Sequence, residues 1–182
     1  MTNLAILAES HQAGTPVMGL STAESGLPWE TDHEDLAHFR AQTRNHVLVM
    51  GRGTFEKLPA ALKTPKATFE RPLIILTHST PLPKSIEPPL GGYWYAGTFE
   101  TPQDLERFAA SFHREKPLAI IGGPTVIEWA EPIVDTVSVT YIAGPHAGDV
   151  RAPENAFLEQ FPNVRHLSRT SKNAMIEMRT RA

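Results

Sequence analysis

The sequence contains no cysteine, so the protein can form neither disulfides nor thiolate zinc sites, which fits a reducing cytoplasm. No apolar run approaches the ~20 residues of a membrane-spanning helix. The first residues, MTNLAILAESHQ, lack the basic start of a signal peptide. The net charge is only −3, which gives no broad basic field for nucleic acid or a membrane surface. We therefore expect a cytoplasmic protein that binds neither.

Several familiar site motifs are also missing. There is no GxGxxG dinucleotide fingerprint, no Walker loop and no Gly-x-Ser-x-Gly nucleophile elbow. His33 and His38 are five residues apart and do not share a helix face as metal ligands would, and Glu34 with His38 is predicted to form a solvated face. With 182 residues and 41% hydrophobic content, the chain is expected to form one domain, residues 1–182. We also expect a monomer.

What the sequence does contain is an acidic residue on a mixed helix face. Thr31 and Glu34 have the spacing of a capping box, which predicts a helix that begins near Asp32. One face of this helix would carry Asp35, Leu36, Phe39 and Thr43. A carboxylate beside apolar residues is costly to bury unless a cation or a hydrogen-bond donor meets it, and burial raises its pKa. Asp35 is therefore a candidate for proton chemistry or for binding an amidine-like ligand; the alternative is a boundary aspartate that reaches water.

A glycine-rich, basic turn follows this helix. Residues 46–50, HVLVM, predict a buried strand that ends in Gly51-Arg52-Gly53-Thr54, after which a helix is expected to begin. Such a turn presents backbone N–H groups to an anion, and Arg52 adds a planar cation suited to phosphate. The alternative is an ordinary strand-to-helix turn with a surface arginine.

The rest of the chain alternates between predicted strands and helices. Strands are predicted at residues 4–8, 72–77 and 92–96, at the start of 117–127 and within 133–142, and a terminal hairpin is predicted at 164–180. A helix is predicted at 101–113, with Thr101 as its N-cap. Residues 9–26, 59–71 and 81–89 are expected to be loops or irregular segments. This order predicts an α/β domain with a mostly parallel central sheet.

Three groups of residues together resemble the signature of the dihydrofolate reductase family. They are Leu27-Pro28-Trp29, then Asp35-Leu36 with Phe39 and Thr43, and then Met50-Gly51-Arg52-x-Thr54. The resemblance implies a central, mostly parallel eight-stranded sheet with an antiparallel C-terminal strand, flanked by helices. It also implies NADPH-dependent reduction of 7,8-dihydrofolate to 5,6,7,8-tetrahydrofolate, a reaction of one-carbon metabolism and a target of antifolates.

The resemblance assigns roles to individual residues. It implies Asp35, Trp29 and Thr140 as catalytic residues, with Thr140 hydrogen-bonded to the acid, and Leu36, Phe39, Arg71 and Ile121 as substrate-binding residues, with Arg71 on the glutamate tail. It implies that NADPH is held by Gly51, Arg52, Gly53, Thr54, Leu76, Thr77, His78, Gly122, Gly123 and Thr125. In the family the pair at 122 and 123 is joined by a cis peptide bond. Without the resemblance, Trp29 would be a core residue and Arg71 a solvated arginine.

The sequence departs from the family pattern in places. Many members have a third glycine where this chain has Pro124, and a tyrosine where it has Ile127. The loop before Pro28, which closes over the site in the family, is a few residues longer, and Gly148-Asp149 resembles the family loop that contacts this lid. Two alternatives therefore stay open: a related NADPH-dependent reductase of a pyrimidine or pterin, of the riboflavin-pathway type, and a non-catalytic NADP(H)- or folate-binding protein.

Overall fold

A computed structural model describes residues 1–12, 14–30, 32–79, 93–113, 115–169 and 174–182. Its strands are β1 (Leu4–Gln12), β2 (Thr15–Gly19), β3 (Val47–Gly51), β4 (Leu73–Leu76), β5 (Trp94–Gly97), β6 (Leu118–Gly122), β7 (Thr136–Ile142), β8 (Val150–Arg151), β9 (Asn163–Arg169) and β10 (Ala174–Thr180). Its helices are α1 (His33–Gln42), α2 (Arg52–Lys57), α3 (Pro65–Glu70), α4 (Pro102–Phe112), α5 (Pro124–Trp129) and α6 (Asn155–Glu159). No helix within these described ranges is long and apolar enough to cross a membrane.

Eight of the strands form one continuous path, in the order β5-β4-β3-β6-β1-β7-β10-β9. The pairings from β5 to β7 are all parallel, whereas β10 runs antiparallel to both β7 and β9. The predicted fold class, a mostly parallel eight-stranded sheet with an antiparallel C-terminal strand, is confirmed. Two short strands lie off this path, because β2 pairs with β1 and β8 pairs with β2.

The middle of the sheet is buried on both faces. In β3, Val47 and Val49 pack into the larger apolar cluster, and Leu48 and Met50 pack into a second cluster on the other face with Phe55 of α2. Successive strand residues point to opposite faces, so a strand covered on both sides reads as an unbroken apolar run. This is why the run at residues 46–50 predicted a central strand, which the structure places one residue later.

Side-chain caps fix where two of the helices begin. Asp32 caps α1, because its side chain accepts hydrogen bonds from the backbone N–H groups of Glu34 and Asp35. The predicted cap residue Thr31 lies outside the described residues. At α4, Thr101 is the N-cap and Pro102 occupies the first turn, as predicted. Asp104 completes a capping box with Thr101.

The prediction of a loop over residues 9–26 is wrong in its first half. Strand β1 continues to Gln12, and β2 returns antiparallel to it, with Ser10 opposite Val17. Sequence periodicity missed this extension because Glu9 and Ser10 are polar, yet both are buried. The Ser10 hydroxyl is satisfied by donating to the carbonyl of Gly144 at 2.7 Å.

The prediction of an irregular segment over residues 59–71 is also wrong. The segment contains a 3₁₀ turn, Ala60–Leu62, and then α3. Thr64 caps α3 by accepting from the backbone N–H of Ala67, and Pro65 stands at its first position. The two prolines that suggested irregular structure lie at the borders of these short elements, where proline is tolerated.

The C-terminal part forms the predicted hairpin, in which β9 and β10 pair antiparallel from Asn163 opposite Thr180 to Arg169 opposite Met175. The predicted loop at residues 81–89 and the first residue of the predicted strand at 92–96 lie outside the described residues; β5 itself begins at Trp94.

Candidate active site

Three parallel strands end at one edge of the sheet and bring most of the predicted cofactor residues together. Strand β3 ends at Gly51, β4 at Leu76 and β6 at Gly122. In the register, Gly51 lies opposite Leu76 and Met50 lies opposite Gly122. Ligands of open parallel sheets bind beyond the carboxyl ends of the strands, which is where these turns are.

The glycine turn after β6 packs directly on the turn after β3. The Gly122–Gly123 peptide bond is cis, as the family resemblance implies. Gly122 has φ +145°, and a Cβ there would lie 3.0 Å from the hydroxyl oxygen of Thr54. A side chain at residue 122 would therefore collide with α2 in a backbone conformation that favours glycine. Pro124 occupies the first position of α5, as expected, and the turn is preserved.

An exposed cation lies beside the turn after β4. The guanidinium of Arg52 donates to the hydroxyl of Ser79 at 3.2 Å, and Ser79 in turn donates from its backbone to Thr77 at 3.2 Å. Arg52 also lies 3.7 Å from Glu56, one turn along α2. A Cβ built at Gly53 would have no heavy atom within 4 Å, so the space beside it is open. His78 and Thr125 are exposed.

Asp35 lies on the inner side of α1, facing β7. The hydroxyl of Thr140 donates to the Asp35 carboxylate at 2.8 Å, as the resemblance implies. Burial raises the pKa of Asp35; the Thr140 hydrogen bond opposes this, nearby Asp32 raises the pKa further, and His38 lowers it. Burial dominates, so this carboxyl holds a proton at higher pH than an exposed aspartate does.

The apolar residues around Asp35 are only half-buried. No residue of α1 is fully buried, and Leu36 and Phe39 are both partly exposed. A helix that packs on a core normally buries its apolar stripe. Here the stripe is left accessible beside a carboxyl group, which is the arrangement of a wall of a ligand cleft.

Arg71 lies at the C-terminal end of this wall. Its guanidinium donates to the hydroxyl of Thr43 at 3.3 Å, and Thr43 itself donates to the Phe39 carbonyl at 2.8 Å. Burial lowers the pKa of Arg71, and the neighbouring Arg40 lowers it further, although the group stays charged at neutral pH. Arg71 is thus half-buried and fixed in direction, and the alternative of a solvated arginine is wrong.

Trp29 is buried, whereas Ile121 is only half-buried. Trp29 is 8% exposed and packs in a small cluster with Ile142 and Ala174, its ring in edge contact with His146. Ile121 is half-buried at the end of β6, against the second core cluster. Ile127, at the position where many family members have tyrosine, is fully buried in the larger core cluster.

The segment between β2 and α1 is tied at two points. The Asp149 carboxylate accepts from both the backbone N–H and the hydroxyl of Ser21, the former at 2.7 Å, as expected for the Gly-Asp loop. On the other side, the ammonium of Lys57 donates to the carbonyl of Ala23 at 2.6 Å. We call residues 20–27 the lid segment; it is joined to the loop before β8 and to the end of α2.

His38 is the residue that sequence reasoning missed. The prediction that it forms a solvated face with Glu34 is wrong, because His38 is half-buried and its Nε2 lies 3.1 Å from the hydroxyl of Ser138. Burial lowers its pKa, and Asp35 opposes this. The available signal was its spacing, three residues after Asp35 and therefore on the same helix face. Within the described ranges, no group of histidines and acids could hold a metal ion.

Comparison with known proteins gives a consistent result. A family model described as dihydrofolate reductase matches residues 10–180. Dihydrofolate reductase from Mycoplasma pneumoniae is 31% identical over 72% of this chain and 74% of its own length. Dihydrofolate reductase HdrB from Haloferax volcanii is 30% identical over 70% of this chain, and dihydrofolate reductase type 9 from Escherichia coli is 27% identical over 65%; each match spans 61% of that relative.

A solved structure shares the fold. It is dihydrofolate reductase from Enterococcus faecalis complexed with NADP(H) and RAB-propyl, which matches with a TM-score of 0.67 at 24% identity. The match covers 99% of this chain and 96% of that one. The strand order described above therefore belongs to a fold already observed in the Enterococcus faecalis protein.

Proposed function

Because the chain belongs to the dihydrofolate reductase family, we propose that it reduces 7,8-dihydrofolate to 5,6,7,8-tetrahydrofolate with NADPH. The observation that carries the proposal is the Asp35 carboxyl, bonded to Thr140 at 2.8 Å and bordered by accessible apolar residues of α1. A carboxyl with a raised pKa in an apolar cleft is suited to proton chemistry.

The residues beyond the strand ends fit NADPH, which supplies a hydride when bound. The open space at Gly53 and the exposed guanidinium of Arg52 beside Ser79 suit a phosphate group. Gly122 lets the turn after β6 pack directly on Thr54, which would bring both glycine turns to one cofactor. We assign the holding of NADPH to Gly51, Arg52, Gly53, Thr54, Leu76, Thr77, His78, Gly122, Gly123 and Thr125.

Asp35 would orient the substrate by accepting hydrogen bonds from the 2-amino group and N3 of the pterin. Leu36, Phe39 and Ile121 would pack on the pterin and benzoyl rings. The half-buried Arg71 would bind the α-carboxylate of the glutamate tail, because a fixed guanidinium fork matches a carboxylate. Holding the rings of substrate and cofactor at attack distance lowers the barrier to hydride transfer.

Asp35 would also favour protonation of N5 of the pterin through water. Its raised pKa keeps the proton available closer to neutral pH than an exposed aspartate would. Thr140 would fix the carboxylate, and the buried Trp29 would limit the water around it.

The first test measures the loss of nicotinamide absorbance when the protein is mixed with NADPH and dihydrofolate, beside mixtures that lack each component. Substrate-dependent oxidation is expected. Asp35→Asn should lower turnover at neutral pH by about a hundredfold or more, because general acid–base groups contribute on that scale, while NADPH binding stays unchanged. Glu34→Gln, a change at the exposed neighbour on the same helix, is the matched control and should leave turnover unaltered.

Particular residues support the two alternative functions. Pro124 removes a backbone N–H at the glycine turn, and the buried Ile127 brings no hydroxyl to the cleft. NADPH binding without oxidation of NADPH in the presence of dihydrofolate would favour a non-catalytic binding protein, or a reductase of a related pyrimidine or pterin. A screen of such substrates then separates these two.

We further propose that residues 1–182 act as one domain and as a cytoplasmic monomer that does not bind nucleic acid. One sheet takes strands from Leu4 to Thr180, which supports a single folding unit. Sedimentation of the purified protein tests the monomer.

A further inference from the structure

Two side-chain hydrogen bonds connect α1 to β7, one turn apart. Thr140 donates to Asp35 at 2.8 Å, and His38 Nε2 lies 3.1 Å from the Ser138 hydroxyl. Residues three apart on a helix and two apart on a strand each share one face, so the two contacts lie side by side. Ser138 is fully buried, and His38 is half-buried, so this second contact is not an exposed surface pair.

We propose that His38 is a positioning residue for Asp35: held by Ser138, its ring fixes the helical turn that presents the carboxyl and, when protonated, supplies a positive charge beside it. This inference rests on the proposed function, because it assigns a role beside the proposed catalytic acid. The Ser138 hydroxyl can donate to a neutral imidazole or accept from a protonated one. The contact therefore persists in both charge states, and only the charge beside Asp35 changes.

The electrostatic effect acts in both directions. Burial raises the pKa of Asp35, and His38 lowers it; burial lowers the pKa of His38, and Asp35 raises it. Each charged form thus stabilises the other, so the titration of either group depends on the charge of its neighbour. His38 therefore limits how far burial raises the pKa of Asp35.

Charged side chains near this pair lie on α1 and, farther away, on β9. On α1 the charged neighbour is Asp32, at the N-cap, which raises the pKa of Asp35. On the sheet, the row through Ser138 runs from Ile6 to Met178 and then to Arg165, an exposed cation two strands away. The row through Thr140 carries Ala8 and Ile176, which do not titrate. Glu177 and Arg179 of β10 alternate with Ile176 and Met178 and so occupy the opposite face.

The test is a carboxyl and imidazole NMR titration of the full-length, ligand-free protein. In His38→Gln, the amide can still bond to Ser138 but carries no charge, and the pKa of Asp35 should rise relative to wild type. In Asp35→Asn, the pKa of His38 should fall by the same amount, because the coupling between two sites is reciprocal. An unchanged Asp35 titration in His38→Gln would overturn the proposal.

Two further variants distinguish the effect of the His38 charge on Asp35 from an effect of the substitution on folding. His33→Gln changes an exposed histidine on the same helix and should leave the Asp35 titration as in wild type. Ser138→Ala keeps the titrating ring but removes its partner, and the mutual shift between Asp35 and His38 should shrink. A full mutual shift in a folded Ser138→Ala protein would contradict the part assigned to Ser138.

Enzyme kinetics provide an independent measurement. In His38→Gln, the pH at which turnover declines should move upward by the shift that NMR gives for Asp35, which a merely structural loss of rate would not produce. A rate loss with an unmoved pH profile would count against the positioning role. A wild-type protein that shows the coupling by NMR but no turnover of dihydrofolate would overturn the proposed function and leave the coupling established.

Discussion

At Asp35, burial and hydrogen bonding have opposite effects on proton affinity. Burial raises the pKa most strongly, the Thr140 hydrogen bond and His38 oppose it, and Asp32 adds to it. The folded protein therefore binds this proton more tightly than the unfolded chain does. The resulting stabilisation is fully present below the ordinary pKa of aspartate and is lost as the pH rises through the higher, folded-state pKa. Denaturant unfolding of Asp35→Asn across that range should show a smaller decline in stability than wild type.

Arg71 should affect substrate binding more than the chemical step. Arg71→Gln removes a fixed cation from the site proposed for the glutamate tail and should weaken dihydrofolate binding by about 1.5–3 kcal/mol, the range for hydrogen bonds to charged groups. We expect a raised KM with kcat nearly unchanged, measured by steady-state kinetics. Arg44→Gln, at an exposed arginine after α1, is the control.

A substrate analogue provides the contrasting measurement for Arg71. A dihydropterin that lacks the glutamate tail should be reduced equally well by wild type and Arg71→Gln. If Arg71→Gln slows the reduction of both substrates equally, Arg71 acts on the fold of the cleft rather than on the tail.

The family resemblance implied the pair formed by Asp35 and Thr140, but nothing in the sequence analysis implied the pair formed by His38 and Ser138. From its own segment, Asp35 could only be predicted to need a partner, because it is a carboxylate on an apolar helix face. His38 and Ser138 are ordinary residues in their local segments, and their contact joins positions 100 residues apart. Such a contact depends on which strand lies under α1, and helix periodicity carries no information about that.

At the scale of elements, α2 connects the proposed cofactor site to the lid segment. Its first residues, Arg52 to Thr54, lie at the strand ends, and its last, Lys57, donates to Ala23 of the lid segment at 2.6 Å. Lys57 also packs against Gly26, where a Cβ would lie 3.2 Å from its side chain. The position of the lid segment is thereby coupled to that of the helix.

Lys57→Met should loosen the lid segment without removing the packing on Gly26, because methionine keeps an apolar stem. The lost hydrogen bond involves a charged ammonium and is worth about 1.5–3 kcal/mol. The amides of Leu20, Ala23 and Gly26, which bond within the segment, should therefore exchange with solvent roughly ten- to a hundredfold faster, measured by hydrogen exchange. Lys63→Met, which removes a lysine that bonds to the Glu56 carbonyl instead, should leave those amides unaffected.

The elements differ in how well the sequence predicted them. The segments that form β3, β4 and β6 are apolar because both faces of the sheet are covered. Such apolar segments can be recognised in a sequence. The extension of β1 was missed because its residues are polar, and the short α3 was missed because prolines lie beside it. Ser10 pairs with Val17 of β2 and donates to the Gly144 carbonyl, and Glu9 lies opposite Tyr141 of β7, so the strand extends through contacts between distant segments.

At the scale of the whole molecule, cofactor binding should increase the free energy of unfolding. A ligand that binds only the folded state at a hundred times its Kd stabilises it by about 2.7 kcal/mol. NADPH should therefore raise the melting temperature, measured by calorimetry, more than NADH at the same concentration. Arg52→Gln should reduce the NADPH effect toward that of NADH and leave the NADH effect unchanged; an equal loss for both would exclude Arg52 as the phosphate contact.

Strand β1 lies between β6 and β7, and Leu4 pairs with both Ala119 and Thr136. During synthesis on the ribosome, β1 is made before β6 and β7, which follow it only after many further residues. The apolar Leu4, Ala5, Ile6 and Leu7 must therefore remain without these two partners until β6 and β7 have been translated. A nascent chain in this condition is prone to non-native pairing, so the yield of native protein in a cell should depend on translation speed and on chaperones that shield this first strand.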